Sequence, residues 1–296
     1  MPKLARHALV LPALVACVLL FALFPALLHA GPAGSGFSLR WSDGLASVRE
    51  YFAGYANGSS FRYLSGKTEL GFWREIGSSA AVTLFYTALG ALAGMTLGVS
   101  LGICFAVSRR AGWLRSLIAL TGFMPDFVIV LLLQLSIVYI ASETGFVVFQ
   151  VASFTSDDPA VALPLLTAIL IPANYMIRNV SLQMKQTLTE DYIGFAKARG
   201  LGKTYVVFFH ALPNVLPYIK ADLHKYMGIL FGNLFIFEYL YNLHGVTMLV
   251  FSNAFAYEGY QYGLVVNGLL TLLAIYAVVY ALLRVMLYGW EKVFVR

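Results

Sequence analysis

The segment DYIGFAKARGLGKTYVVFFHALPNVLP, residues 191–217, carries Lys197, Arg199 and Lys203, two glycines within three residues and two prolines, yet apolar runs flank it on both sides. Glu190 and Asp191 favour a helix start, Thr187 and Thr189 are N-cap residue types, and Lys197 and Arg199 suit a helix end before Gly200. The pattern predicts a short helix of about ten residues. On it Tyr192, Phe195, Ala196 and Arg199 recur at three- and four-residue spacing, so aromatic groups and one small residue share a face. After Gly200-Leu201-Gly202, residues 203–211 read as a second short helix that ends before Pro213 and Pro217. Helices this short are not stable alone, so the pair must dock on something.

The composition says what kind of protein surrounds this loop. Of 296 residues, 60% are hydrophobic and 11% charged, with a mean hydropathy of +0.77, whereas an ordinary soluble domain has about 25% charged residues. That places the chain in a bilayer. The formal net charge of +6 comes from short separate loops, with no contiguous basic patch interleaved with aromatics, which argues against nucleic acid as a partner. Cys17 and Cys104 lie inside apolar runs and act as small hydrophobes. His7, His29, His210, His224 and His244 show no metal-ligand spacing. Motifs of the GxxxxGK[ST] and GxGxxG types do not occur. The chain is expected to carry no catalytic residue, metal or cofactor; if nucleotide energy is used, another chain binds the nucleotide.

Six apolar stretches reach the length needed to cross a hydrocarbon core: residues 8–28, 80–107, 117–141, 161–177, 223–240 and 262–287. The fifth holds Gly228, Gly232, Asn233 and Glu238 and reads as broken or as lining a cavity. Cytoplasmic loops retain positive charge. Lys3 and Arg6 precede the first stretch, Arg109, Arg110 and Arg115 follow the second, and Arg178, Lys185, Lys197, Arg199, Lys203 and Lys220 lie between the fourth and fifth. The intervening loops carry Glu143, Asp157, Asp158, Glu238 and Glu258. Both termini are therefore expected in the cytoplasm. Residues 1–28 are expected to be a retained anchor helix, its apolar core being longer than the 7–15 residues of a signal peptide. Residues 29–79 read as a polar extracytoplasmic excursion without a large core, and residues 80–296 as a transmembrane domain with a cytoplasmic loop at 182–217. Asn57-Gly58-Ser59 is formally a glycosylation sequon.

Within the second stretch, Gly90, Gly94, Gly98 and Gly102 recur every four residues and make a side-chain-free groove for helix packing. Asp126, just after Pro125, is costly inside a bilayer; it is expected to face a water-filled path or a partner subunit, or to satisfy amides at the proline break. Glu238 is a second candidate for the path, although near a span end, like Arg284, it can snorkel to the interface.

The spacing of Ala196, Gly200 and Leu212-Pro213 resembles the EAA loop of permeases from binding-protein-dependent ABC importers, in which a glycine is followed at fixed distance by a Leu-Pro pair. More closely, IRNVSLQMKQTLTEDYIGFAKARGLGK followed by HALPN is similar to the dipeptide, oligopeptide and nickel branch, with Arg178, Asp191-Tyr192, Ala196, Gly200-Leu201, His210-Ala211 and Asn214 in matching places. The resemblance is strongest over residues 178–217 and extends more weakly from about Thr83 to the C-terminus. It implies an all-α polytopic fold of the type I importer permease, with six transmembrane helices, in a bacterial inner membrane. The loop would be the coupling helix, with Asp191, Tyr192, Phe195, Ala196, Lys197, Arg199, Gly200, Leu201, Leu212 and Pro213 at the contact with an ATPase. Implied partners are a homologous second permease, two ATPase subunits and an extracytoplasmic binding protein; the cargo would be peptides or nickel complexes. The chain departs from the family pattern at Gly194, where the general motif has glutamate. It departs again at His244-Gly245-Val246-Thr247 in place of Pro-Gly-Leu-Gly, and at Gly259-Tyr260-Gln261 in place of Asp-Tyr-Pro. A rival from another class is a secondary transporter driven by an ion gradient, which needs paired intramembrane carboxylates or repeats with interrupted spans.

Overall fold

The computed structural model describes residues 3–30, 36–108, 112–155, 158–257 and 259–294. Arg109, Arg110, Asp157 and Glu258, which enter the charge argument, lie outside these residues. In chain order the helices are α1 (Lys3–Leu27), α2 (Trp41–Asn57), α3 (Phe72–Val107), α4 (Gly112–Thr121), α5 (Asp126–Thr144), α6 (Ala162–Thr187), α7 (Asp191–Ala198), α8 (Lys203–Val206), α9 (Leu212–Ala221), α10 (Leu223–Gly232), α11 (Leu234–Leu240), α12 (Val246–Asn253) and α13 (Tyr262–Phe294). Three two-stranded antiparallel hairpins join them: β1 (Leu28–Ala30) with β2 (Phe37–Leu39), β3 (Arg62–Ser65) with β4 (Thr68–Gly71), and β5 (Phe255–Ala256) with β6 (Gly259–Tyr260). Among the described residues the protein is all-α apart from these short hairpins.

Among the described residues four helices, α3, α5, α6 and α13, are long and apolar enough to cross a membrane. α1 runs for 25 residues, with a described apolar stretch over Pro12–Leu27. The stretch expected at residues 117–141 is interrupted. α4 ends at Thr121, and α5 starts only at Asp126 after Pro125, which lacks an amide proton and has an extended ψ of 141°. The stretch at 223–240 is broken into α10 and α11 at Asn233, in line with its glycine and asparagine content.

The chain forms two compact units, residues 1–83 with 244–275 and residues 84–243 with 276–296. In the first, Ala22, Leu23 and Leu27 of α1, Tyr51 of α2 and Tyr262 and Val266 of α13 make a small buried cluster. Tyr51 donates to Asn267 Oδ1 at 2.8 Å, and Asn267 Nδ2 donates to the Ser60 carbonyl at 2.9 Å. Asn57-Gly58-Ser59 is the turn that ends α2: Gly58 has φ of +78° and Ser59 N–H donates to Asn57 Oδ1 at 3.0 Å. Two of the three departures from the family pattern, residues 244–247 and 259–261, also fold here. Gln261 receives the Leu64 N–H at 2.6 Å and returns its own amide to the Leu64 carbonyl at 2.7 Å, satisfying the edge of β3 as a strand would. The amide of Val246 donates to the buried Thr83 hydroxyl at 2.9 Å.

In the second unit the glycine stripe of α3 lies on α6. A Cβ at Gly90 would fall 2.9 Å from the Ala168 carbonyl oxygen, and at Gly94 3.0 Å from that of Ile169. At Gly98 it would fall 2.6 Å from Met176 Cβ, and at Gly102 2.8 Å from Val180 Cβ. Each step of four residues on α3 meets the next turn of α6, so the backbones touch along the whole stripe.

Candidate functional site: the helical hairpin after α6 and the polar cavity on α6

α7 spans eight residues, Asp191–Ala198. Thr187 and Thr189 are not its caps: Thr187 is the last residue of α6, the Thr189 hydroxyl donates to the Gln186 carbonyl at 2.7 Å, and Glu190 occupies the N-cap position. The end of α7 is tightly specified. Gly200 sits at φ of +80°, its N–H donates to the Lys197 carbonyl at 2.9 Å, and the Leu201 N–H donates to the Ala196 carbonyl at 3.4 Å. That pair of bonds is a Schellman motif, which calls for a left-handed residue at the glycine position.

The face expected from spacing divides in two. Ile193 is 0% exposed and Ala196 5%, so these two bury against the protein. Phe195 is 67% exposed and Tyr192 42%, and Lys197 and Arg199 are also on the surface. The Arg199 guanidinium lies 6.0 Å from the Phe195 ring centre, a cation–π contact on the open side.

The second helix does not stop before the prolines. α8 passes through a π-helical turn over Val207–Ala211 into α9, which contains both Pro213 and Pro217. Pro213 falls in the first turn of α9, where a missing N–H costs little, and the wider turn before it absorbs the change in hydrogen bonding. Leu212 is buried beside it. Asn214 Nδ2 donates to the Tyr192 hydroxyl at 3.0 Å and to the His210 carbonyl at 2.8 Å, tying α9 to α7. Burial first, and then the charge of Glu190, raises the Tyr192 pKa, while the bond from Asn214 opposes this. Lys203 Nζ donates to the carbonyl of Val107, the last residue of α3, at 3.2 Å. Arg115 Nη2 donates to the Phe105 carbonyl at 2.6 Å. Two cations thus satisfy carbonyls at the C-terminal end of α3, where the helix dipole is negative. The hairpin is fixed to α3 and α9 on one side and leaves Phe195, Lys197 and Arg199 exposed on the other.

Asp126 belongs to a second feature. It starts α5, and its Oδ2 accepts from Asn233 Nδ2 at 2.6 Å, so the breaks in two apolar stretches meet at one hydrogen bond. Asp126 also lines a cavity of about 690 Å³ with Thr121, Asn174, Tyr175, Arg178, Asn179, Asp222 and Lys225 among its walls. Glu238 is not part of this cavity; it is 1% exposed on α11. Asp222 and Lys225 were not expected from the sequence. A signal for the cavity was nonetheless present: Ile171, Asn174, Tyr175, Arg178, Asn179 and Leu182 follow i, i+3, i+4, i+7 spacing, a polar stripe inside an apolar helix.

Comparison with known proteins agrees with this architecture. The family model described as "Binding-protein-dependent transport system inner membrane component" matches residues 94–296. A putative peptide permease of Brucella ovis is 26% identical over 184 residues, covering 60% of this chain and 58% of that protein, less than two thirds of its length. The dipeptide transport system permease protein DppB of Escherichia coli K12 is 26% identical over 254 residues, covering 76% of this chain and 74% of that protein. The glutathione transport system permease protein GsiC of Salmonella choleraesuis is 28% identical over 185 residues, covering 60% and 56%. Among solved structures, the MetNI methionine ABC transporter in inward-facing conformations aligns with a TM-score of 0.54 at 15% identity, over 74% of this chain and 97% of that chain, a likeness of fold. With the family model covering more than half its length, the chain belongs to the inner membrane components of binding-protein-dependent transport systems.

Proposed function

We propose that this chain is one permease subunit of an ATP-driven importer for short peptides in a bacterial inner membrane, and that the α7–α8 hairpin is its contact with a separate ATPase. The observation that carries the reading is the division of α7. Ile193 and Ala196 anchor the helix inward, while Tyr192, Phe195 and Arg199 remain exposed on a helix fixed by a Schellman turn. A helix rigidly attached to the spans and open on its outer face can transmit a displacement of whatever it docks on. Peptide cargo is supported by the names of the relatives from Brucella, Escherichia and Salmonella, of which glutathione is itself a tripeptide.

In this reading the hairpin lies in the cytoplasm, and residues 29–79 form an extracytoplasmic segment beyond the anchor helix 1–28. Domain 80–296 builds the path with a homologous second permease, and a binding protein delivers the cargo. ATP binding closes two partner ATPases, α7 moves with them, and the spans rock so that access alternates. This chain performs no bond chemistry; coupling requires only that the docked hairpin bind differently in the two states. The test is uptake of a labelled dipeptide by cells holding the complete system, with ATP and the ion gradient varied separately. Uptake should persist when an uncoupler collapses the gradient while ATP is maintained, and stop when ATP is depleted. The reverse pattern would establish a gradient-driven transporter.

A further inference from the structure

The cavity on α6 carries two carboxylates, Asp126 and Asp222, and two cations, Arg178 and Lys225. Among the described residues these four charges make no ion pair with one another. Their own neighbours are neutral groups that hold them in place. Asp222 Oδ2 accepts from the Tyr175 hydroxyl at 2.8 Å and from Asn179 Nδ2, and Lys225 Nζ lies 5.0 Å from the Tyr175 ring centre. The Arg178 guanidinium occupies the space a Cβ on Gly122 would need, so the absence of a side chain there admits it to the cavity. Asn174, on the same wall, donates to Thr121 Oγ1 at 2.7 Å but has its Oδ1 buried without a partner.

Charges of both signs on membrane helices are costly where they would face lipid; here Asp126 and Asp222 are half-buried and Arg178 and Lys225 are exposed at the cavity, within reach of a bound molecule. An anion would find Arg178 and Lys225 but meet two carboxylates, and a cation would meet the converse. A molecule with separated ammonium and carboxylate ends satisfies both. The volume lies within the roughly 300–1,000 Å³ of small-molecule sites. We propose that this cavity is a binding site for a zwitterionic small molecule, a di- or tripeptide, with Arg178 taking the carboxylate and Asp222 the ammonium. The proposal rests on the peptide-import reading and adds a selective station within the permease itself.

The test uses the complete permease–ATPase complex in nanodiscs, without the binding protein, and radiolabelled dialanine as probe. Saturable binding is expected, with dialanine amide and N-acetyl-dialanine each competing about tenfold less well than dialanine, since a charge-assisted contact is lost. Arg178→Gln should weaken dialanine binding about tenfold and abolish discrimination against the amide alone. Asp222→Asn should abolish discrimination against the N-acetyl form alone. Should Arg178→Gln fail to assemble, Lys225→Gln is the second variant and should blunt rejection of the amide. Absence of saturable binding, equal competition by all three ligands, or variants that alter every ligand equally would overturn the site. Dialanine uptake by the complete system is measured in parallel. Uptake without the charge-specific binding pattern removes the zwitterion site and leaves the importer reading intact, whereas failure to take up any peptide removes the peptide reading and the site with it.

Discussion

Gly200 is the residue on which the geometry of the hairpin turns. At φ of +80° a β-branched side chain is strained by about 1–2 kcal/mol, and relief of that strain would break the bonds from Gly200 and Leu201 to the end of α7. Gly200→Val is expected to insert and accumulate but to lose most ATP-dependent uptake; normal uptake would show that the turn is dispensable. The two faces of α7 predict opposite phenotypes for neighbouring residues. Ile193→Ala removes a fully buried side chain, and the expected loss of about 2–5 kcal/mol should appear as reduced thermal stability of the purified chain. Phe195→Ala changes an exposed ring and should leave the melting temperature unchanged while weakening association with the ATPase. A Cβ on Gly194 meets nothing within 4 Å, so Gly194→Glu, which restores the acidic residue of the general motif, should be accepted without loss of stability. At this scale the sequence was legible where a backbone constraint has a residue signature, as at Gly200. It was less so for side-chain direction: Ala196 faces inward with Ile193 and away from Phe195, a choice made by the surface on which α7 docks and not by spacing along α7.

Among the elements, the crossing of α3 with α6 depends on an absence of side chains. Gly98→Leu would drive atoms into Met176, whose Cβ would already lie 2.6 Å from a Cβ at this position, and should sharply lower the yield of folded protein. Gly77→Ala on the same helix meets nothing within 4 Å and should be accepted. Circular dichroism melts of the two variants in detergent compare them directly; equal stability would mean that α3 and α6 do not touch along the stripe. The four-residue glycine period announced this contact. The helix breaks were harder to place. Pro125 does start a helix, but Pro213 and Pro217 do not end one, because the π-helical turn over Val207–Ala211 rearranges the backbone bonds ahead of them. A rule that proline terminates a helix has no access to that accommodation. The polar stripe on α6 was readable by its helical spacing, whereas Asp222 and Lys225 join it only through the packing of α6 with α9 and α10.

For the whole molecule, composition and apolar run lengths sufficed to identify a helical membrane protein, because burying charge in lipid is costly enough to leave a mark on the entire sequence. Orientation is read from the positive residues, and it makes a direct prediction. With Cys17 and Cys104 replaced, a single cysteine at the exposed position Lys67 should react with an impermeant maleimide in intact cells, and one at Lys197 only after permeabilisation. The opposite pattern would invert the topology and remove the hairpin from the cytoplasm. The central claim, that the hairpin joins this chain to an ATPase, is tested most directly by co-purification. The tagged chain is extracted gently from its native membrane, alongside a version with residues 196–203 scrambled. A nucleotide-binding subunit should accompany the native chain and be absent from the scrambled one at equal chain recovery. An abundant, folded native chain without such a subunit, or equal recovery of the subunit with both versions, would contradict it.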